Sequence, residues 1–412
     1  MKQKLIFHID VNSAFLSWEA VYRMKVLGET EDLRLVPSIV GGSREKRHGI
    51  VLAKSIPAKV YGIHTAETIV SALNKCPNLV IVPPRFDVYE EYSNQFIEIL
   101  EQYSPDIQKV SIDEAFVDMT GTCHLFGEPM EVAEKIKNQI RDELGFTVNV
   151  GVSVNKLLAK MASDFKKPDL CHSLFPKEIE EKMWGLPVGE LYFVGKSAKK
   201  KMELLGIRTI GDLANTDIKL LKSHLGEKYG QQIWEYANGI AYDTVIEEEP
   251  VTKSYGNSTT LSHDVDDYET ANQVLLALSE TVGSRLRAAK VKCNSVTVEI
   301  KDTDFKRFSH QMTLDEATDS TGIIYETACR LLKEFWDGRA VRLIGVSTSK
   351  VSEDDFFQLS LFPKEKNAKL EKLDAAVDKI REKYGTDSIK RASFLDINSI
   401  CNHRLDKKNR HQ

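Results

Sequence analysis

The sequence predicts a multidomain protein of mixed α/β and α+β class, and three observations carry that expectation. The chain has 412 residues, more than one core of ordinary size requires. Apolar strand-like runs alternate with helical spacing through about residue 172, and a helix-rich stretch follows to about residue 238. From residue 253 to 350 the order becomes strand, helix, strand, strand, helix, strand, the split βαβ arrangement.

Each element has a local reason. Residues 4–10 (LIFHID) read as a buried strand that ends in a carboxylate, and residues 12–27 as a helix with Asn12 or Ser13 as N-cap. The runs 33–42 and 50–53 are strand-like, with a charged loop (SREKRHG) between them. Pro57 opens a short helix, residues 79–82 form a strand, and 87–103 have helical spacing. VSIDEAFVD at 110–118 alternates like a strand pair or hairpin, 128–144 is an amphipathic helix, and FTVNVGVSV is a strand followed by the helix LLAKMASDFKK. In NSVTVEIK, Val296, Val298 and Ile300 alternate with Thr297, Glu299 and Lys301, as in a half-buried strand. Residues 241–252 have acidic linker character, and Leu370, Leu373, Val377, Ile380 and Tyr384 space a small helix that packs back or binds a partner.

Composition excludes more than it selects. Hydrophobic residues make up 42% and charged residues 28%, which is ordinary for a globular chain. No run approaches the roughly 20 apolar residues that span a bilayer. The N-terminal stretch has no signal-peptide pattern, so a cytoplasmic protein without membrane attachment is expected. Cys76, Cys123, Cys171, Cys293, Cys329 and Cys401 form no C-x-x-C pair and read as reduced thiols; Cys401 with His403 is too small a set for a metal site. A net charge of −5 does not advertise nucleic-acid binding, so that case rests on local motifs.

The acids are the sharpest local signal. Asp10 ends an apolar strand, and Asp113 and Glu114 stand together in SIDEA, also read as strand. Buried neighbouring carboxylates repel, and their pKa values rise unless a cation compensates them. Two Mg²⁺ ions about 3.5–4 Å apart would do so and would serve phosphoryl transfer. Taken alone, the pair more often caps a surface turn, with one side chain facing solvent.

The strings HIDVNSAFLSWEA, SIDEAFVD and GVSVNKLLAKMASDFKKPD, in this order and spacing, resemble the three palm motifs of the Y-family translesion DNA polymerases, most closely the bacterial DNA polymerase IV type. The resemblance runs from about Lys4 to Leu395. It implies a right-hand-like polymerase: palm at 1–18 and 86–174, fingers at 19–85, and a helical thumb with a helix-hairpin-helix at 175–240. A linker at 241–252, a little finger at 253–352, a clamp-binding motif at 356–363 and a C-terminal helix and tail at 364–412 complete it. By the same resemblance Asp10, Asp113 and Glu114, with the Val11 carbonyl, bind two Mg²⁺ ions, for which Mn²⁺ can substitute. Phe15 is the steric gate against a 2′-OH, and Lys59 and Lys167 meet the triphosphate of the incoming dNTP. The implied activity is error-prone, template-directed DNA synthesis on a primer 3′-OH without proofreading, by a monomer associated with the bacterial nucleoid.

Departures from the family pattern bear on rate. Ile56 and Lys59 stand where a Tyr and an Arg are usual, and Lys lacks the bidentate fork of Arg. Ala14 replaces a second aromatic, and Asp169-Leu170 replaces an acid or amide followed by Gly. GKS at 195–197 is not a P-loop, because five residues separate Gly189 from Gly195. It resembles the thumb hairpin, with Gly195 and Lys196 near a DNA phosphate and Lys199 adding charge. Arg285, Arg287, Lys290, Lys292, Arg307 and Arg342 are candidate phosphate contacts of the little finger. QLSLF resembles the bacterial sliding-clamp motif, with Gln358 and Leu359 in the contact and Leu361 and Phe362 filling an apolar pocket; a short packed strand is the bland alternative. Two rival functions remain open at this point: a DNA- and clamp-binding scaffold without turnover, and a two-metal phosphohydrolase or nuclease.

Overall fold

A computed structural model describes residues 4–42, 49–242, 244–245, 252–352, 365–385 and 388–392, with the backbone alone for 365–369. They fall into two compact units that divide at residues 249 and 250. In chain order the first begins with β1 (Ile6–Val11), α1 (Ala14–Lys25), β2 (Ser38–Gly41), β3 (Val51–Lys54), α2 (Ile56–Val60) and α3 (Ile69–Lys75). There follow β4 (Val80–Val82), α4 (Phe86–Glu101), β5 (Ile107–Lys109), β6 (Glu114–Asp118), α5 (Pro129–Gln139), β7 (Val148–Ser153), α6 (Lys156–Asp164) and β8 (Cys171–Ser173). The helices α7 (Ile179–Lys182), α8 (Lys196–Leu204), α9 (Ile210–Ala214), α10 (Ile218–Leu225) and α11 (Glu227–Ala237) end the unit.

Its main sheet has the order β5-β6-β1-β7-β8, with β1 antiparallel to both β6 and β7. Every residue of β1 is buried, and strand alternation divides the strand between two faces. Phe7, Ile9 and Val11 join Phe96, Leu100, Val132 and Ile136 of α4 and α5 in one core. Ile6 packs on Phe116 and Ala159, and His8 meets Ser163, so the other face, which carries Asp10, looks toward α6. Gly151 of β7 lets α6 come that close: a Cβ there would stand 1.9 Å from the Ala159 carbonyl oxygen and 2.5 Å from the Ser163 nitrogen. Both are backbone atoms, so the helix itself would have to move. Gly151→Ala is expected to destabilise the protein by about 3 kcal/mol. Chemical denaturation checks this, and an unchanged midpoint would mean that α6 can give way.

The smaller sheet is β3-β2-β4, with β2 antiparallel to β3 and parallel to β4. Ser55 caps α2 by accepting a hydrogen bond from the Ala58 N–H at 3.1 Å. The N-cap of α1 is Ser13, one of the two expected, but it lacks the capping bond. Its φ is 50°, and Ser17 Oγ donates to the Asn12 carbonyl at 2.6 Å. Helices α7–α11 close around Met183, Met202, Ile210, Leu213, Leu221 and Ile233.

The second unit runs β9 (Ser254–Val265), α12 (Tyr268–Ala288), β10 (Lys292–Asp302), β11 (Arg307–Thr318), α13 (Thr321–Phe335), β12 (Val341–Ser352) and α14 (Glu365–Tyr384). Its antiparallel sheet has the order β11-β10-β12-β9, and the β-α-β-β-α-β succession is the expected one. Val296, Val298 and Ile300 lie in the core with Leu275, Val282, Ile324 and Leu331 of the two helices.

The last helix is present and packs back through polar groups as well as part of the apolar stripe: Leu370 lies against Gly322 of α13, and Leu370 and Val377 are half-buried. Asp374 accepts from the Thr321 N–H at 2.9 Å, at the start of α13, and pairs with Arg287 at 3.5 Å. Leu373 is 51% and Tyr384 66% exposed, whereas Asp374 is 5% exposed. A carboxylate gains more at a helix N-terminus beside a guanidinium than a leucine would there. Cys76, Cys123 and Cys293 are buried free thiols, and Cys171 and Cys329 are half-buried ones. No helix among the described residues is long and apolar enough to cross a membrane.

Candidate active site

Sheet register brings the acids together. Asp10 of β1 is the partner of Glu114 in β6, and cross-strand partners share a face. Strand β6 starts at Glu114, so Asp113 belongs to the bend before it rather than to the strand the sequence suggested. The bend is held by the Val11 N–H donating to the Asp113 carbonyl at 3.0 Å and by Ser111 Oγ donating to Asp113 Oδ1 at 2.6 Å. It spares Asp113 the opposite face, which uninterrupted strand alternation would assign it.

Two lysines that follow β7 answer the acids. Lys160 Nζ of α6 lies 2.8 Å from Glu114 Oε1 and 3.4 Å from Asp10 Oδ2. Lys167 Nζ donates to Asp10 Oδ2 at 2.6 Å and also pairs with Asp164 at 2.9 Å. Ammonium groups thus supply part of the compensation that the sequence assigned to metal ions alone. Among the described residues no three His, Cys, Asp or Glu side chains are placed as a metal-holding group, and lysine ammoniums stand between the acids.

The charges remain unequal after this pairing. The His8 ring and the Lys160 ammonium hold the Glu114 carboxyl down at about 2. Burial and the negative charges of Asp10 and Glu114 push Asp113 up, against the Ser111 hydrogen bond. His8 Nε2 stands 3.7 Å from Glu114 Oε2, past hydrogen-bond length, and burial lowers its own pKa. A neutral ring 3.7 Å away contributes less to Glu114 than the ammonium at 2.8 Å, so Lys160 is the main counter-charge. Lys160 is itself pushed up: the acids around it outweigh its burial. The uncompensated negative charge therefore sits at Asp113, and oxygen donors with excess negative charge suit a hard divalent cation.

Phe15, in the first turn of α1, has an aromatic wall behind it. Its ring stacks on Tyr89 at 5.1 Å and 19°, and meets the edge of Phe86 at 5.8 Å. Tyr89 is buried and donates to Glu19 Oε2 at 2.9 Å. Glu19 Oε1 is in turn paired with Arg23 at 2.8 Å and Arg85 at 3.3 Å. On α2, Ile56 is 57% exposed, and Lys59 is exposed beside Lys54. Burial and then the Lys59 charge lower the Lys54 pKa, so α2 and β3 present two neighbouring cations.

The expected DNA contacts fare differently from one another. Gly195, Lys196 and Lys199 are exposed around the start of α8. A Cβ on Gly195 would meet nothing within 4 Å and its φ is −82°, so nothing inside the chain demands glycine there. Arg285 donates to the Gly256 carbonyl at 2.9 Å, and the Arg342 guanidinium lies 5.1 Å over the Phe305 ring. Lys292 pairs with Glu371 at 3.4 Å, and Arg307 with Glu299 at 2.8 Å. Gln358, Leu359, Leu361 and Phe362 lie outside the described residues.

Arg287 is corrected to a structural role. Its side chain is 13% exposed, pairs with Asp378 at 2.5 Å, and donates to the Asp319 carbonyl at 2.7 Å. These contacts turn it away from any phosphate. Arg287→Ala is expected to cost about 3 kcal/mol, because it takes their guanidinium partner from buried Asp374 and from Asp378. Denaturation measures that loss, and the salt dependence of DNA binding should stay as it was; a shallower salt slope would restore Arg287 as a phosphate contact.

Known proteins resemble the chain along most of its length. The impB/mucB/samB family matches residues 9–164, its C-terminal domain matches 252–361, and the family described as DNA polymerase-iota, thumb domain, matches 190–241. DNA polymerase IV of Clostridium acetobutylicum is 46% identical over 393 residues, covering 95% of this chain and 98% of that protein. DNA polymerase IV 2 of Bacillus subtilis is 38% identical over 403 residues, covering 96% and 95%. A solved Y-family DNA polymerase chimera superposes with a TM-score of 0.72 at 24% identity, covering 85% of this chain and all of that one, which speaks for the fold. Relatedness at 46% identity over nearly the full length, with family matches on both units, settles the membership: the chain belongs to the Y-family DNA polymerases of the bacterial DNA polymerase IV type and is a DNA-directed DNA polymerase.

Proposed function

We propose that this polymerase carries out error-prone translesion synthesis, adding deoxynucleotides to a primer 3′-OH by two-metal phosphoryl transfer without proofreading. The observation that carries the reading is the register pair Asp10–Glu114 with Asp113 in the adjoining bend, a set of acids still short of positive charge after two lysines are used. Asp10, Asp113, Glu114 and the Val11 carbonyl are all oxygen donors, which fits Mg²⁺ and, in its place, Mn²⁺. Bound there, the two ions would ease deprotonation of the 3′-OH and take up charge on the leaving pyrophosphate.

The protein's own groups do the rest. Lys167, 2.6 Å from Asp10, lies at the site's edge with its side chain 36% exposed, where an incoming triphosphate can draw it off the acid. Lys59 supplies a second cation to the triphosphate, as a point charge rather than a fork. Phe15 bars a 2′-OH. Gly195, Lys196 and Lys199 engage a phosphate of the primer–template, and Arg285 and Arg342 act from the little finger. Gln358–Phe362 dock on the sliding clamp, and the protein works as a monomer in the cytoplasm, at the nucleoid. The palm, fingers, thumb and little-finger boundaries follow the order given by the sequence.

Primer extension on undamaged and damaged templates, with Mg²⁺ or Mn²⁺ and with or without clamp, tests this reading. Incorporation opposite and beyond a lesion is the expected result. No incorporation with either metal would leave a DNA-binding scaffold, and degradation of the DNA without nucleotides would indicate a nuclease.

A further inference from the structure

Phe193 stands in the hairpin ahead of α8 with a backbone φ of 71°. Left-handed backbone is costly for any residue with a Cβ and a marked outlier for a bulky one, whereas glycine adopts it freely. The side chain is also 56% exposed. The chain thus bears a strained backbone in order to hold a large apolar ring in solvent.

The ring is braced rather than loose. Tyr192 meets its edge at 4.7 Å, Tyr236 at 6.0 Å, and Tyr229 Oη donates to the Phe193 carbonyl at 3.0 Å. Exposed Lys196, Lys199 and Lys200 follow within seven residues. Cations beside a fixed aromatic face suit a ligand with both anionic and apolar surface, which a nucleic-acid backbone presents as phosphate and sugar.

We infer that Phe193 is a DNA-binding residue of the thumb hairpin, packing its exposed ring on a deoxyribose of the primer–template while the neighbouring lysines meet phosphates. The inference rests on the reading that this hairpin grips DNA. It adds to that reading an apolar contact, whose strength does not depend on salt as a phosphate contact does.

The two substitutions that keep the backbone comfortable make the test sharp. Phe193→Gly removes the ring and relieves the φ, and Phe193→Asn removes the ring with a residue that tolerates this conformation. Fluorescence anisotropy with a labelled primer–template, over a salt series, gives affinity and slope, and thermal melting reports the fold. Both variants should melt no lower than the parent and bind DNA about tenfold more weakly, with an unchanged slope. Phe193→Tyr should keep parental affinity. Unchanged affinity in Phe193→Gly, a reduced salt slope, or weaker binding that comes with lower melting in both variants would each overturn the inference. Lys196→Ala separates this from the wider reading: it should lower the slope by about one. If it does and Phe193→Gly binds normally, only the ring contact falls; if it does not, the hairpin's grip on DNA falls with it.

Discussion

Alanine at Asp113 or at Glu114 is expected to lower nucleotide incorporation by at least about 10³-fold, or ~4 kcal/mol of transition-state stabilisation. Single-turnover primer extension measures this, and full activity in either variant would remove the residue from the metal site. The two acids should differ in what they do to stability. Burial and the neighbouring acids raise Asp113 above its unfolded pKa, so the folded protein binds that proton more tightly and the ionised form weakens the fold. The penalty is fully present at neutral pH and disappears as pH falls through the raised range. Asp113→Asn should therefore melt higher than the parent in the absence of metal. Glu114 has the opposite sign: His8 and Lys160 hold it at about 2, below its unfolded value, so its contribution is present at neutral pH and is lost as pH falls toward 2. Glu114→Gln should melt lower. A residue that raises stability when it is neutralised, and abolishes turnover at the same time, is retained for chemistry rather than for folding.

Much of this architecture was legible because strand and helix periods differ. The alternation in β10 identifies its buried face, the apolar run of β1 marks a strand buried throughout, and the order of elements after residue 253 is read from spacing alone. What escaped is what depends on register. Nothing in the sequence says that Asp10 and Glu114 are opposite each other, or that β6 begins one residue after Asp113. Lys160 and His8 were missed although both had a signal. His8 is two residues from Asp10 and so shares its strand face, and Lys160 follows Lys156 by four on the helix that covers that face. Arg287 misled because a cation in a domain expected to grip DNA suggests a role by type, whereas its burial is decided by an ion pair across 91 residues of sequence.

Phe15→Ala should reduce discrimination against ribonucleotides by about 10²-fold, while incorporation of deoxynucleotides changes little. The size of the effect follows from what stands behind the ring. A gate that can tilt away excludes nothing, and Phe15 has little room to tilt. Tyr89 lies against its face at 5.1 Å, Phe86 is T-shaped to it at 5.8 Å, and the Tyr89 hydroxyl is tied to buried Glu19. Glu19 is fixed by two arginines, so moving the wall would break the Tyr89 hydrogen bond to a buried carboxylate, which costs about 1.5–3 kcal/mol. If Phe15 is the gate proposed above, the energy that rejects a 2′-OH is stored in the rigidity of its support. Alanine removes the ring and leaves the wall, opening space for the hydroxyl without disturbing the metal acids. Because both sugars are compared in one preparation, any loss of folded protein cancels from the ratio of kcat/KM values. An unchanged ratio would mean that the sugar edge faces some other side chain, and Phe15 would return to being a core residue of α1.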